Sequence, residues 1–320
     1  MAAFRVGRPT THMPPFDGAS GWLNSEPLTP EDLRGHVVAI DFWTFTCVNW
    51  LRTAPYIRAW AEKYQEQGFV TVGVHTPEFD VEHERENVER MASRLHLEYP
   101  VAIDNDFAIW DAFANRAWPA LFLADSEGVL RFQHFGEGRY EESERVIQDL
   151  LGIEDELASV QGLGVEAPAD WDNVDSPETY VGFAQAERFA SPGGLRGGER
   201  TAYARPERLG LNQWAFEGEW TVRAQPAVAN EPGGRLSYRF HARDVNLVMA
   251  PGERPVLFRV TVDGQAPRAA HGEDVDEEGA GVLAEPRLYQ LIRQPGRITD
   301  RTFEISFLER GAQAYVFTFG

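Results

Sequence analysis

Cys47 is the residue of this 320-residue sequence whose type and position together suggest covalent chemistry. It is the only cysteine, and it lies between a run of apolar residues, Val37 to Trp43, and a segment with the pattern of a helix, Val48 to Gln67. At the start of a helix, unpaired backbone N–H groups and the helix dipole favour the thiolate form of cysteine. A thiolate can exchange with disulfides or reduce a peroxide through a sulfenic acid. The alternative is a thiol that only fills space, because cysteine is often a small buried apolar residue.

The segments around Cys47 predict an α/β domain that extends to about Leu151. Short apolar runs alternate there with amphipathic stretches, as in strands and helices packed in layers. The predicted strands are Val37 to Trp43, Phe69 to Val74, Ala120 to Asp125 and Val129 to Phe135, and the predicted helices are Val48 to Gln67, Val81 to Leu95, Asp104 to Ala114 and Glu141 to Leu151. We expect the first two strands to be parallel, which would bring His75 and Glu78 to the same sheet edge as Cys47.

The second half of the chain has a different apolar period. From Trp220 onwards, short runs of period two alternate with glycine and proline turns, which is typical of a β-sandwich or jelly roll. A chain of this length corresponds to about two domains. We therefore predict an α/β domain over residues 1–152, a linker or surface strap over 153–175, and an all-β domain over 176–320.

The surroundings of Cys47 resemble the active site of the thioredoxin superfamily. Asp41 stands six residues before the thiol, where that family has a buried acid, and Pro55 stands eight residues after it, where the family has a helix-kinking proline. Trp118-Pro119 resembles the cis-proline that abuts the thiol in such folds. The resemblance narrows to redoxins of the TlpA and DipZ type, and in DipZ a carbohydrate-binding-like jelly roll follows the redoxin domain. The segments that resemble the redoxin domain are 22–25, 73–79, 115–119 and 135–138. Those that resemble the jelly roll are Tyr180, 240–243, 274–276 and 317–320.

One position departs from the family pattern. The family's active site is Cys-x-x-Cys, and Trp50 stands where the second cysteine belongs. In the dithiol mechanism that second thiol resolves the mixed disulfide, and a tryptophan cannot do so. The resemblance therefore implies a thiol that needs an external resolving thiol or a redox partner protein.

Other residues are candidates for a substrate groove around the thiol. Trp50 and Trp118 should flank Cys47, either as an apolar lip for a peptide or aromatic ligand or as a structural seal, with Pro119 shaping the groove. Thr44 resembles the peroxiredoxin threonine, although Ile40 replaces the proline of that motif.

Three polar candidates each have two interpretations. Asp41 is either a proton acceptor for Cys47 through water, as the resemblance implies, or a buried acid satisfied by backbone donors. His75 and Glu78 belong either to the chemistry or to the polar surface of a loop.

Charge and composition exclude several classes of function. The net charge of −20 would repel a phosphate backbone, so nucleic acid is excluded as a partner. A single cysteine excludes an internal disulfide and a cysteine-rich metal site, and we predict no cofactor and no metal centre. The acidic segment 273–278 has as many carboxylate oxygens as a calcium-binding loop, but it lacks the residue spacing of an EF-hand. It is therefore either a calcium site or a solvated turn. No apolar run approaches the ~18 residues of a membrane span, and we expect no secretion signal and a cytoplasmic location.

We therefore predict an α/β thioredoxin-like domain followed by an all-β jelly-roll or β-sandwich domain. The predicted function is that of a monothiol oxidoreductase, with Cys47 as nucleophile acting on disulfides or peroxides and Asp41 tuning protonation. The alternative is a non-catalytic binding module, in which a degenerate redoxin domain and the jelly roll hold a peptide or glycan.

Overall fold

The computed structural model describes residues 11–162, 164–165 and 167–320. The chain divides into two compact units, Met1–Ala167 and Pro168–Gly320. The interpretation of residues 153–175 as a linker between independently folding domains stays a prediction.

The first unit is an α/β fold, as the sequence predicts, and its sheet has six strands. Its strands are β1 Gly21–Leu23, β2 Val37–Trp43, β3 Phe69–His75, β4 Val101–Ile103, β5 Ala120–Ala124 and β6 Leu130–Phe135. Its helices are α1 Val48–Tyr64, α2 Arg85–Arg94, α3 Ala108–Ala112 and α4 Tyr140–Leu151, with 3-10 turns at Gln65–Gln67 and Asp80–Glu82. The sheet order is β1-β4-β3-β2-β5-β6, in which β2, β3 and β4 run parallel and the other pairs antiparallel.

Strand β2 is the central element that carries the chain towards Cys47. All seven of its residues are buried, because strands pack on both of its edges and other elements cover both of its faces. Alternation along the strand puts Val38, Ile40 and Phe42 on one face, within an apolar cluster, and Asp41 and Trp43 on the other. Because β2 pairs in register with β3, Asp41 lies opposite Gly73 and Trp43 opposite His75.

Several element boundaries differ from those expected. The strands β1 and β4 were not predicted because each has only three residues, too few to show a period. The helix expected from Val81 to Leu95 is broken into a 3-10 turn and α2, and the helix expected from Asp104 begins at Ala108. Gly68 follows α1 and its 3-10 turn with φ of 86°, the left-handed conformation that glycine adopts without strain.

A buried glutamate fixes α1 against α4 and the chain that follows. Glu144, on α4, accepts hydrogen bonds from Trp60 Nε1 at 2.9 Å and from the Tyr64 hydroxyl at 2.6 Å, both on α1. The same carboxylate accepts the backbone N–H of Ala158 at 2.6 Å, so this part of the chain lies along the first unit as a strap. These bonds hold the helix that carries the thiol at its start.

The second unit is all β, as predicted. Its strands are β7 Thr179–Tyr180, β8 Arg200–Tyr203, β9 Trp214–Val222, β10 Ala227–Ala229, β11 Gly234–Phe240, β12 Asp244–Ala250, β13 Val256–Val262, β14 Ala280–Leu283, β15 Arg287–Arg293, β16 Arg301–Phe307 and β17 Gln313–Phe319. They form one 11-stranded sheet with antiparallel ladders, ordered β14-β13-β16-β11-β9-β10-β17-β12-β15, with β7 on β17 and β8 on β9. Short 3-10 turns lie at Trp171–Asn173 and Arg268–Ala270. Among the helices of both units that are described, none is long and apolar enough to cross a membrane.

Candidate active site

Cys47 occupies the N-cap of α1, as the sequence predicts. Its backbone N–H donates to Thr44 O at 3.2 Å, and its carbonyl accepts the first helical hydrogen bond, from Leu51 N at 2.9 Å. The residue is partly exposed, whereas the six residues before it are buried. A thiol in this position lies beside the unpaired N–H groups of the first helical turn and can be reached from solvent.

The loop before β5 faces the thiol. The Trp118–Pro119 peptide is cis, as the resemblance implies, and the Trp118 carbonyl oxygen lies 3.7 Å from Cys47 Sγ. Trp118 is half-buried, and its ring lies 4.4 Å from that of Trp110, also half-buried, between ring centroids. The Pro119 carbonyl accepts Gly136 N–H at 2.8 Å, which ties this loop to the one after β6. Trp118 and Pro119 therefore border the thiol.

Trp50 is not part of an open groove, which corrects the prediction. Its side chain is 0% exposed, and its indole stacks on Trp43 with 4.4 Å between centroids and 24° between planes. The indole Nε1 donates to Asp41 Oδ2 at 2.9 Å. The reason is that position 50 lies on the face of α1 that packs on β2, where the buried carboxylate needs a donor. The indole fills the place that the resemblance assigns to a second thiol.

Asp41 is held by this side chain and not by backbone donors. Burial raises the pKa of Asp41 to about 7, and the hydrogen bond from Trp50 opposes part of that rise because it favours the charged form. Among the described residues, no donor reaches the other carboxylate oxygen, Oδ1. The carboxyl group therefore changes charge near neutral pH inside the protein, behind the indole.

His75 and Thr44 also do not line a groove. Both are 0% exposed. The His75 ring lies between Trp43, at 4.8 Å edge to face, and Phe45, stacked at 5.7 Å. Burial lowers the pKa of His75 to about 3, so the ring is neutral at ordinary pH. Neither side chain is accessible to a substrate in this conformation, and Trp43 and Phe45 cover the His75 ring.

Glu82 is a site residue that the sequence analysis missed. It is 0% exposed and accepts the N–H and hydroxyl of Thr46 at 3.2 and 2.7 Å, next to Cys47. Its other oxygen accepts the N–H groups of Glu78 and Phe79 at 2.7 and 2.9 Å. Burial raises the pKa of Glu82, and these hydrogen bonds oppose the rise. One carboxylate thus joins the loop before the thiol to the loop after β3, and Glu78, partly exposed, belongs to that support.

A buried ion pair supports the other side of the α1 start. Arg52 is 4% exposed, and its Nη1 lies 3.2 Å from Glu137 Oε1 and 3.3 Å from Asn49 Oδ1. Burial raises the pKa of Glu137, and Arg52 acts against that rise. Because Glu137 follows Gly136, the ion pair links α1 to the loop after β6. The Gly136 N–H of that loop donates to the Pro119 carbonyl. The sequence signal for this ion pair is an arginine among the apolar residues of a helix.

The acidic segment in the second unit uses its oxygens within the protein. Asp274 accepts Arg287 Nη2 at 2.6 Å and Gln290 N at 2.7 Å. Asp276 Oδ1 accepts the backbone N–H groups of Glu278 and Ala280 at 2.9 and 2.8 Å. Across the described ranges, no group of three or more histidine, cysteine or acidic side chains could hold a metal ion.

Comparison with known proteins agrees with this fold. Residues 9–133 match the AhpC/TSA family, and residues 176–320 match a family described as thioredoxin-like C-terminal domain. Over 128 residues the chain is 34% identical to the thiol-disulfide oxidoreductase YkuV of Bacillus subtilis. The matched region is 39% of this chain and 85% of YkuV. The chain therefore belongs to the redoxin family of thioredoxin-like proteins.

The similarity to DipZ extends over both units. Protein DipZ of Mycobacterium bovis is 30% identical over 317 residues, which is 96% of this chain and 42% of DipZ. The chain thus spans less than half the length of this relative. A solved thioredoxin-like protein in its oxidised form is 29% identical and covers 45% of this chain and 97% of its own, with a TM-score of 0.42.

Proposed function

We propose that this redoxin carries out thiol–disulfide exchange with Cys47 as its only redox-active thiol. The observation that carries the proposal is the position of Cys47: partly exposed, at the N-cap of α1, with Sγ 3.7 Å from the Trp118 carbonyl. Relatives named as thiol-disulfide oxidoreductases support redox chemistry in general. The buried indole of Trp50 supports a reaction without an internal resolving thiol.

The proposed cycle has two exchange steps. The Cys47 thiolate attacks one sulfur of a disulfide R–S–S–R′; that bond breaks, R′–S⁻ leaves and takes a proton from water, and the protein holds a mixed disulfide with R. A small external thiolate then attacks the R sulfur, and Cys47 leaves as thiolate. Over the two steps the external thiol supplies the two electrons that release R′–S⁻ from the disulfide, and it ends as a mixed disulfide with R. Cytoplasmic thiols would supply this resolver, so we propose a cytoplasmic location.

Asp41 acts in this proposal through Trp50 and not on substrate. Its charge changes near neutral pH, one hydrogen bond away from the indole that packs beside the start of α1. Asp41→Asn should therefore alter the pH dependence of exchange at Cys47 near pH 7. An unchanged pH profile in the folded variant would reduce Asp41 to a structural residue.

Trapping the mixed disulfide tests the proposal. The full chain is incubated with oxidised glutathione and its intact mass is measured. We expect one glutathione per chain on Cys47, released by excess reduced thiol, and no adduct on Cys47→Ser. A folded protein that stays unmodified under these conditions contradicts the proposal.

A second candidate is a binding module, and a specific feature favours it. Three partly exposed aromatic rings cluster around Trp118, whose carbonyl lies 3.7 Å from Cys47 Sγ: Phe107 lies 5.9 Å from Trp110 and 6.5 Å from Trp118 between centroids. Such rings hold peptide side chains. The second unit, if it has the jelly-roll topology that the resemblance implies, would add a glycan site. Peptide binding that survives in Cys47→Ser, without exchange in the natural chain, would favour this candidate.

Peroxide reduction is the remaining branch of the monothiol hypothesis. An accessible thiolate at a helix start is susceptible to oxidation to sulfenic acid. After treatment with peroxide, a dimedone-type probe should then label Cys47. Absence of label near neutral pH, with the fold intact, excludes this branch and leaves disulfide exchange.

A further inference from the structure

The second unit contains a cavity of about 820 Å³ whose charge is opposite to that of the chain. Its lining includes Arg200, Arg223, Arg254 and Arg310, against the two carboxylates of Glu253 and Glu309. The chain as a whole carries a net charge of −20. The lining therefore has two more positive than negative groups, whereas the chain as a whole has an excess of carboxylates.

Three of these guanidinium groups have no partner among the described residues. Arg200 forms ion pairs with Glu219 and Glu231, which lie outside the lining. Arg223, Arg254 and Arg310 form no ion pair or side-chain hydrogen bond with any residue in the described part of the chain. Glu309 already accepts the Leu257 N–H at 2.5 Å, so it is held away from an arginine. Three guanidinium forks are thus available to a ligand.

The walls of the cavity are built by hydrogen-bonded loops of the sheet. Ala229, at the end of β10, donates to Ala312 O at 2.9 Å and accepts Gly311 N–H at 2.7 Å. The β12–β13 loop passes so close to Gly311 that a Cβ on Gly252 would lie 3.0 Å from the Gly311 carbonyl oxygen. These contacts fix the backbone of the loops that carry Arg254 and Arg310.

We propose that this cavity binds a small ligand that carries two or more carboxylate or phosphate groups. Guanidinium groups match both anions with paired N–H donors, and several unpaired arginines in one cavity favour a ligand with more than one such group. The volume is that of a site for a small molecule. The site lies within the all-β unit, and its ligand is independent of the chemistry at Cys47.

Calorimetry with defined anions tests the site in the full chain. The probes are citrate, pyrophosphate and trigalacturonic acid, with the uncharged maltotriose for comparison. At least one anion should bind, and its affinity should fall with added salt, because salt screens exposed charges. Binding of pyrophosphate alone assigns phosphate as the recognised group, and binding of citrate or the uronate assigns carboxylate.

Arginine variants complete the test. Arg223→Gln, Arg254→Gln and Arg310→Gln should each weaken binding by about tenfold, the loss of one charge-assisted contact, and the triple variant should abolish it. Arg297→Gln, at an exposed position outside the lining, is the matched control and should leave binding unchanged. If the triple variant does not fold, the anion affinities of the single variants test the proposal. Absence of binding by all three anions, or binding that the variants leave unchanged, overturns the proposal.

Discussion

Replacing Asp41 by asparagine should change how the stability of the first unit depends on pH. The amide has nearly the shape of the carboxyl group, and its oxygen can still accept the hydrogen bond from Trp50 Nε1, which is 2.9 Å long in the natural chain. What the variant loses is the ionisation of a buried acid. The comparison therefore isolates the energy of placing that charge inside the protein.

The size and sign follow from the raised pKa. Asp41 has a pKa of about 7 in the folded protein and an ordinary value of 3.8. Between these values the folded state keeps the proton and the unfolded state loses it, so this acid makes folding less favourable as pH rises. The complete effect is about 4 kcal/mol, and somewhat more than half of it develops between pH 5 and pH 8. Asp41→Asn should gain about that much stability relative to the natural chain over this range.

Hydrogen exchange in denaturant, followed by mass spectrometry on peptides from β2 and α1, measures the unfolding of the correct unit, because both elements belong to it. Unfolding curves at pH 5, 6, 7 and 8 are compared between the natural chain and Asp41→Asn. Other titrating groups are common to both and cancel in the difference. Asp106→Asn, at an exposed position, should give a difference that does not vary with pH. If the free energy of unfolding depends on pH in the same way in Asp41→Asn and in the natural chain, the assignment of a buried, partly protonated Asp41 is refuted.

Three further predictions concern the same unit. Trp50→Cys should form a reversible disulfide with Cys47, since residues three apart share a helix face, and should lower the free energy of unfolding by about 3 kcal/mol or more through the lost indole. Intact mass and circular dichroism measure both effects, and a folded variant without a disulfide contradicts the first. Glu82→Gln should cost about 2 kcal/mol and slow the reaction of Cys47 with disulfides, whereas the exposed Glu86→Gln should do neither; unchanged thiol reactivity would remove Glu82 from the site. Limited proteolysis should cut between Ile153 and Asp175 and leave two folded pieces, and many small fragments would argue against independent domains.

The local parts of this site were predictable from the sequence. The apolar run Val37 to Trp43 and the helical pattern after Cys47 determine where the strand ends and the helix begins, and both boundaries depend on neighbouring residues. The cis peptide before Pro119 followed from the resemblance, and the all-β second half followed from its period of two.

The parts that depend on distant partners were not predictable. Trp50 is directed inward by a carboxylate on a strand nine residues earlier, and no helical pattern reveals that partner. Glu82 falls within the helix expected from Val81 to Leu95, yet it accepts hydrogen bonds from a loop 36 residues earlier. Arg52 pairs with Glu137, which lies 85 residues later in the chain. In each case a buried charge is compatible with the fold only because tertiary contacts supply its partner.

The most direct test of a one-cysteine redoxin is a turnover assay with the full chain. A small amount of protein is added to 2-hydroxyethyl disulfide and reduced glutathione, and the formation of oxidised glutathione is followed in time through NADPH oxidation by added glutathione reductase. We expect a rate that rises with protein concentration, many turnovers per chain, and loss of the rate in Cys47→Ser. A rate equal to that without protein, or one that Cys47→Ser retains, would contradict this expectation.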